Sequence, residues 1–68
     1  MIALRSSTSD GSVFQVFDDD VLIGHIRKLK ALTGDRYQAF IDRDGQEESN
    51  GKEFDSPGEA LLWIEMNR

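Results

Sequence analysis

The chain has 68 residues, a formal net charge of −5 and no cysteine. This length allows one domain, and the absence of cysteine excludes disulfide staples and thiolate metal sites. No apolar run approaches the roughly 18 residues of a membrane helix, and no N-terminal segment fits a signal peptide. We therefore expect one domain over residues 1–68, located in the cytoplasm.

The first two thirds of the chain predict three strands in succession. Residues 13–17 combine valine and phenylalanine after a turn-like Ser-Asp-Gly-Ser, a composition typical of strands. The second and third strands are expected over about 21–30 and 36–43, with turn-forming residues between them. Residues 1–12 are either flexible or contribute an extra strand over 2–4.

Two residue pairs that tolerate positive φ angles follow the third strand. Asp44-Gly45 and Asn50-Gly51 each favour a tight turn. Residues 46–49 lie between these pairs and form either a short polar fourth strand or a plain loop.

The C-terminal segment predicts a helix over about 57–67. Ser56 suits the N-cap, Pro57 suits the first helical position, and Glu59 has the spacing of a capping box, in which its side chain accepts from the Ser56 amide. About eleven residues would hardly be helical alone in water, so this helix needs a sheet to pack on.

Together these elements predict an α+β fold, a small antiparallel sheet of three or four strands with one C-terminal helix packed on one face. Side chains alternate along a strand, and the small residues Gly24 and Ala39 would let a helix approach closely. We therefore assign their face to the buried side. The expected core, with Trp63 at its edge, comprises Leu22, Ile26, Tyr37, Ala39, Ile41, Phe54, Leu61 and Ile64.

The other face of the sheet is the main candidate for a functional surface. One helix cannot cover both faces, so this face is either an exposed contact surface or covered by loops and the N-terminal segment. Under the first alternative, the expected protein-interface residues are Ile23, His25, Arg27 and Phe40.

One basic segment interrupts the acidic chain and suggests a second kind of partner. Arg27, Lys28, Lys30 and Arg36 are the residues that could contact nucleic acid. Alternation splits the first three between the two faces, and an acidic chain is repelled by phosphate backbones. Nucleic acid is therefore the less favoured partner, and no membrane contact is expected.

Neither catalysis nor metal binding is indicated by the sequence. His25 is the only histidine, and no nucleophile stands at a recognisable spacing from it. A calcium-loop alignment on Asp42, Asp44 and Gly45 fails, because Phe40 and Gly51 would occupy positions that require carboxylates. We expect no enzyme, no cofactor and no metal.

The junction before the helix carries a resemblance to known domains. Its matching residues are Gly51, Phe54, Asp55, Ser56, Glu59 and Ala60. With the order strand–strand–strand–helix, this pattern resembles plant ethylene-response-factor domains and the arm-binding domains of phage-type integrases. The resemblance implies a sheet that enters the DNA major groove, with His25, Arg27 and Phe40 on the face away from the helix.

A second resemblance is one of general type. Small, acidic, cysteine-free domains are common among bacterial and phage products that bind another protein. Because the chain is acidic, we expect a non-enzymatic protein-binding or self-associating module that uses the open sheet face. The alternative is a nucleic-acid-binding domain that uses the same face with Arg27, Lys28 and Lys30.

Overall fold

The computed structural model describes all residues 1–68 as one antiparallel sheet and one helix. The five strands follow each other in chain order across the sheet, and the helix comes last. The elements are β1 Ile2–Ser6, β2 Val13–Asp18, β3 Val21–Ala31, β4 Gly34–Arg43, β5 Gln46–Glu48 and α1 Pro57–Asn67. The α+β class is confirmed, but the predicted number of strands, three or four, is too low, because both β1 and β5 form.

Tight turns explain why the sheet is a simple meander. The turn between β2 and β3 places Asp19 and Asp20 at positive φ, and the turn between β4 and β5 does the same with Asp44 and Gly45. Two-residue turns of this kind match the right-handed twist of the flanking strands. Each strand therefore pairs with its sequence neighbour.

A β-bulge in β3 decides which side chains share a face. Val16 pairs with Gly24, but the next residue, Phe17, pairs with Leu22, so Ile23 is an extra residue in β3. An extra residue reverses the alternation beyond it. Leu22 is consequently 42% exposed, and Ile23 packs against the core. The predictions of a buried Leu22 and an outward-facing Ile23 were both wrong for this reason.

The core lies between α1 and the face of the sheet that β3 and β4 present to it. Its six buried side chains are Val16, Ile26, Ala39, Ile41, Ala60 and Ile64. Four of them were predicted, and Val16 and Ala60 were not. Tyr37, Phe54, Leu61 and Trp63 are partly buried against this cluster.

Gly24 is the point of closest backbone approach in the sheet. A Cβ atom built there would lie 2.2 Å from the backbone oxygen of Phe40. Real Cβ atoms do not come so near to a backbone oxygen, so only glycine fits. The sequence suggested that Gly24 lets the helix approach closely. In the structure, Gly24 instead lets the neighbouring strand, β4, approach closely.

The helix begins as the sequence predicts, with one difference. The Ser56 hydroxyl accepts a hydrogen bond from the Glu59 amide at 3.2 Å, and Pro57 lies in the first turn of the helix. The Glu59 carboxylate accepts from the amide of Asp55 at 3.1 Å rather than from that of Ser56. Just before this cap, Phe54 pairs with Tyr37 of β4, which ties the helix entry to the sheet.

Ion pairs fasten the two chain ends on the helix side. The Asp18 carboxylate lies 2.5 Å from the Arg68 guanidinium and 3.2 Å from the Met1 amino group. Arg68 first, and the Met1 amino group second, hold the pKa of Asp18 below its ordinary value. The pKa of the Met1 amino group is raised by Asp19 and Asp18. Each charge therefore stabilises the other's ionised form.

The helix of this structure is too short and too polar to cross a lipid bilayer.

Replacing Gly24 with alanine should destabilise the domain by about 1–3 kcal/mol or unfold it, because the new methyl group would clash with the Phe40 carbonyl. Gly58 is the matched control. It lies in the first turn of α1, where an added Cβ would make only an ordinary contact, 3.8 Å from the Ser56 hydroxyl oxygen, so Gly58→Ala should be neutral or stabilising by up to about 1 kcal/mol. Urea unfolding followed by circular dichroism measures both, and equal losses would contradict this account of Gly24.

Replacing Ser56 with alanine should cost about 0.5–2 kcal/mol of folding free energy, because the Glu59 amide loses its acceptor. Ser9→Ala, at an exposed serine outside the helix, is the control. An unchanged unfolding midpoint for Ser56→Ala would show that the cap does not contribute.

The Asp18 ion pairs should make stability depend on pH in the acid range. Because the pKa of Asp18 is lower in the folded state, its contribution is present above the unfolded pKa, near 3.8, and is lost as pH falls through the folded value. Asp18→Asn should therefore lower the melting temperature at neutral pH, and the difference from wild type should close in strong acid. Asp20→Asn, at the adjacent turn, is the control. A gap for Asp18→Asn that stays constant in acid would refute the linkage.

Candidate functional site

The candidate site is the face of the sheet that α1 does not cover, which we call the open face. Strand register places every second residue on it, opposite the buried core residues. Its members are Ala3 and Arg5 of β1, Val13, Gln15 and Phe17 of β2, Leu22, His25, Arg27 and Leu29 of β3, Arg36, Gln38, Phe40 and Asp42 of β4, and Glu47 of β5.

A stacked pair of rings lies at the centre of the open face. His25 of β3 is directly opposite Phe40 of β4, and their rings lie 4.5 Å apart between centroids at an angle of 10°. The guanidinium carbon of Arg27 lies 6.0 Å from the centre of the Phe40 ring. An imidazole, a benzyl ring and a guanidinium thus form one continuous contact surface.

A second aromatic and arginine pair extends this surface toward β1. The guanidinium carbon of Arg5 lies 5.1 Å from the centre of the Phe17 ring. Both Phe17 and Phe40 are only partly buried, so part of each side chain remains exposed. The cation–π contacts hold the two arginines over these rings while their charges remain near solvent.

The charges on the open face are separated along the strands. Arg27 and Arg36 lie toward the turn that joins β3 and β4, whereas Asp42 and Glu47 lie toward the opposite end of the sheet. Arg36 is also paired with the Asp55 carboxylate. The face therefore has a basic end, an aromatic centre and an acidic end.

The acidic end gathers three side chains that can bind a proton or a metal. Single ligand atoms of His25, Asp42 and Glu47 all lie within 4.8 Å of one another. His25 Nε2 is 3.8 Å from the nearer Glu47 oxygen, which is too long for a hydrogen bond. Gln15 and Leu22 line the shallow pocket beside them.

The structure brings together three of the four residues predicted for a protein interface. His25, Arg27 and Phe40 lie side by side on the open face. Ile23 does not join them, because the bulge turns it toward the core. Leu22 takes its place on this face, beside His25.

The residues predicted for nucleic-acid contact are not brought together. Lys28 and Lys30 lie on the helix side of the hairpin formed by β3 and β4, whereas Arg27 and Arg36 lie on the open face. Lys28 is paired with Asp35 at 3.3 Å, as Arg36 is with Asp55. Their positive charges are thus divided between two faces and partly neutralised.

Sequence reasoning missed two parts of this site. It did not place Arg5 over Phe17, because β1 was not recognised as a definite strand. It also overlooked the meeting of His25 with Asp42 and Glu47. The sequence did carry a signal for the pairing of Asp42 with Glu47, because a two-residue turn at Asp44 and Gly45 puts residue 42 opposite residue 47.

Comparison of the chain with protein-family models, with curated proteins and with solved structures finds no match.

Proposed function

We propose that this protein is a non-catalytic self-associating module, in which the open faces of two copies pack against each other. The observation that carries the proposal is the charge-separated, aromatic-centred surface that α1 leaves uncovered. Aromatic residues and arginine are the residue types enriched at the centres of protein interfaces. Here Phe17 with Arg5 and Phe40 with Arg27 supply two such pairs on one face of the sheet.

The charge pattern favours a second copy as the occupant. A two-fold axis that lies between the sheets and perpendicular to the strands would place the basic end of one copy over the acidic end of the other. Arg27 and Arg36 of each copy would then approach Asp42 and Glu47 of its partner. Because a two-fold contact uses the same patch twice, both ends are satisfied at once.

The size of the face limits how strong the association is. Five strands spaced about 4.8 Å apart give the sheet a width of roughly 24 Å, and about six residues along each strand give a length of roughly 20 Å. The open face therefore has an area on the order of 400–500 Å² per copy. Standard stable interfaces bury roughly 800 Å² per partner. We therefore expect a weak dimer, with a dissociation constant of about 10–500 μM.

The first test places a charge at the apolar centre of the face. Phe40→Asp should abolish association and leave the domain folded, because Phe40 lies on the open face and outside the buried core. Leu62→Asp is the matched control, since Leu62 is an exposed apolar residue on α1. Sedimentation equilibrium from about 10 μM to 1 mM, in the presence of a chelator, measures the dimer fraction. Amide dispersion in NMR spectra checks the fold.

The sharper test is charge complementation. Arg27→Glu and Asp42→Lys should each weaken self-association, because each puts like charges together twice in a two-fold dimer. A mixture of the two variants should pair again. The introduced glutamate of one variant would meet the introduced lysine of the other, and the unchanged Asp42 of the first would meet the unchanged Arg27 of the second. Lys30→Glu and Glu65→Lys, at exposed sites away from the open face, are the controls.

Three results would overturn the proposal. They are a wild-type protein that stays monomeric at about 1 mM, equal weakening by the control variants, and no recovery in the mixture.

Nucleic acid is tested alongside by NMR titration with a mixed-sequence DNA duplex at low salt. Salt-sensitive shifts confined to residues 23–30 and 36–41 would favour that alternative, with Arg27, Lys28, Lys30 and Arg36 as its contacts.

A further inference from the structure

The acidic end of the open face has the composition of a metal site. His25, Asp42 and Glu47 come from β3, β4 and β5, and their ligand atoms converge within 4.8 Å. An imidazole with two carboxylates is a donor set that divalent transition metals accept. The turn at Asp44 and Gly45 brings Asp42 opposite Glu47, but His25 lies far from both along the chain and meets them only through the pairing of β3 with β4.

The spacing of the donor atoms suits one shared ion. Bonds of about 2.0–2.2 Å to a tetrahedral zinc ion place neighbouring donors roughly 3.3–3.6 Å apart. His25 Nε2 and the nearer Glu47 oxygen are already 3.8 Å apart, too far for a hydrogen bond and close to this value. Small rotations of the two carboxylates would bring all three donors to bonding distance.

The surroundings orient the histidine and leave the carboxylates unpaired. The His25 ring is held against Phe40 by stacking, and only 16% of the side chain is exposed. The nearest guanidinium in sequence, that of Arg43, pairs with Glu48 on the other face of the sheet. Asp42 and Glu47 therefore present two negative charges that no lysine or arginine neutralises.

We propose that His25, Asp42 and Glu47 form a binding site for a divalent transition metal, with Zn²⁺ as its test ion. A 2+ ion would neutralise both carboxylates, and Gln15 or water would complete the coordination from the same pocket. The ion would also join three strands. β5 has only three residues, all exposed, so such a cross-link would hold it to β3 and β4.

This inference does not depend on self-association. All three ligands come from one chain, so the monomer carries a whole site. The experiment therefore uses the Arg27→Glu protein as well as the wild type, because that variant should be monomeric under the proposed function while keeping every ligand. Zinc binding by both proteins supports the site irrespective of the oligomeric state.

The matched pair of variants is Glu47→Gln and Glu48→Gln. The two residues are neighbours in β5, but only Glu47 lies on the open face. Isothermal titration with zinc chloride at neutral pH should give one ion per chain. Glu47→Gln and His25→Gln should weaken binding at least tenfold, whereas Glu48→Gln should stay within about twofold of wild type.

NMR provides the structural readout and the opposing outcomes. Zinc should shift the amides and side chains of residues 25, 42 and 47 and slow hydrogen exchange in β5. The proposal is overturned by absence of zinc binding, by equal weakening from Glu47→Gln and Glu48→Gln, or by shifts centred on residues 18–20. Competition by equimolar Mg²⁺ would also overturn it, since that would indicate simple attraction to acidic surface rather than a site that includes the imidazole.

Discussion

The architecture depends on one geometric constraint, which is that a single helix covers a five-stranded sheet on one side only. Ala60 and Ile64 close the core over β3 and β4, and Phe54 anchors the helix entry beside Tyr37. With so small a core, the packing between the sheet and the helix has to be tight. Within the sheet the packing is tight at Gly24, which lets β3 and β4 approach to a distance that no side chain would allow.

The two sides of the sheet use charge in different ways. On the helix side, charges are paired locally, as Lys28 is with Asp35 and Arg43 with Glu48, and Arg68 holds Asp18 near the chain ends. On the open face, Arg5 and Arg27 lie over aromatic rings instead. Exposed ion pairs contribute little to stability, so the main effect of the helix-side pairs is that each charge is neutralised by its partner. The open-face groups remain available to a partner.

The self-association and metal proposals share Asp42 and Glu47 of the open face and would influence each other. A divalent ion at the acidic end would neutralise the charges that we expect to attract the basic end of a second copy. Metal binding would then weaken the dimer, and dimerisation would weaken metal binding by the same factor, because linkage is reciprocal. The fraction of the protein that is dimeric would then depend on the metal concentration.

Local sequence patterns were sufficient for much of the fold. The capped helix at Ser56 and the turn at Asp44-Gly45 depend on interactions between residues a few positions apart, and both appear as expected. Alternation also placed His25, Arg27 and Phe40 on a common face. β1 and β5 were harder to predict, because short and largely exposed strands have no apolar pattern of their own and form only where a neighbouring strand offers its hydrogen bonds.

The local chemistry of the chain thus determined its class, its helix and the composition of its central strands. Only the tertiary structure decided which side chains meet. The bulge at Ile23 reverses the faces of Leu22 and Ile23, and strand pairing alone brings His25 to Asp42 and Glu47. The physical reason is that register belongs to a pair of strands: one extra residue moves every following side chain to the other face, and no single strand carries that information.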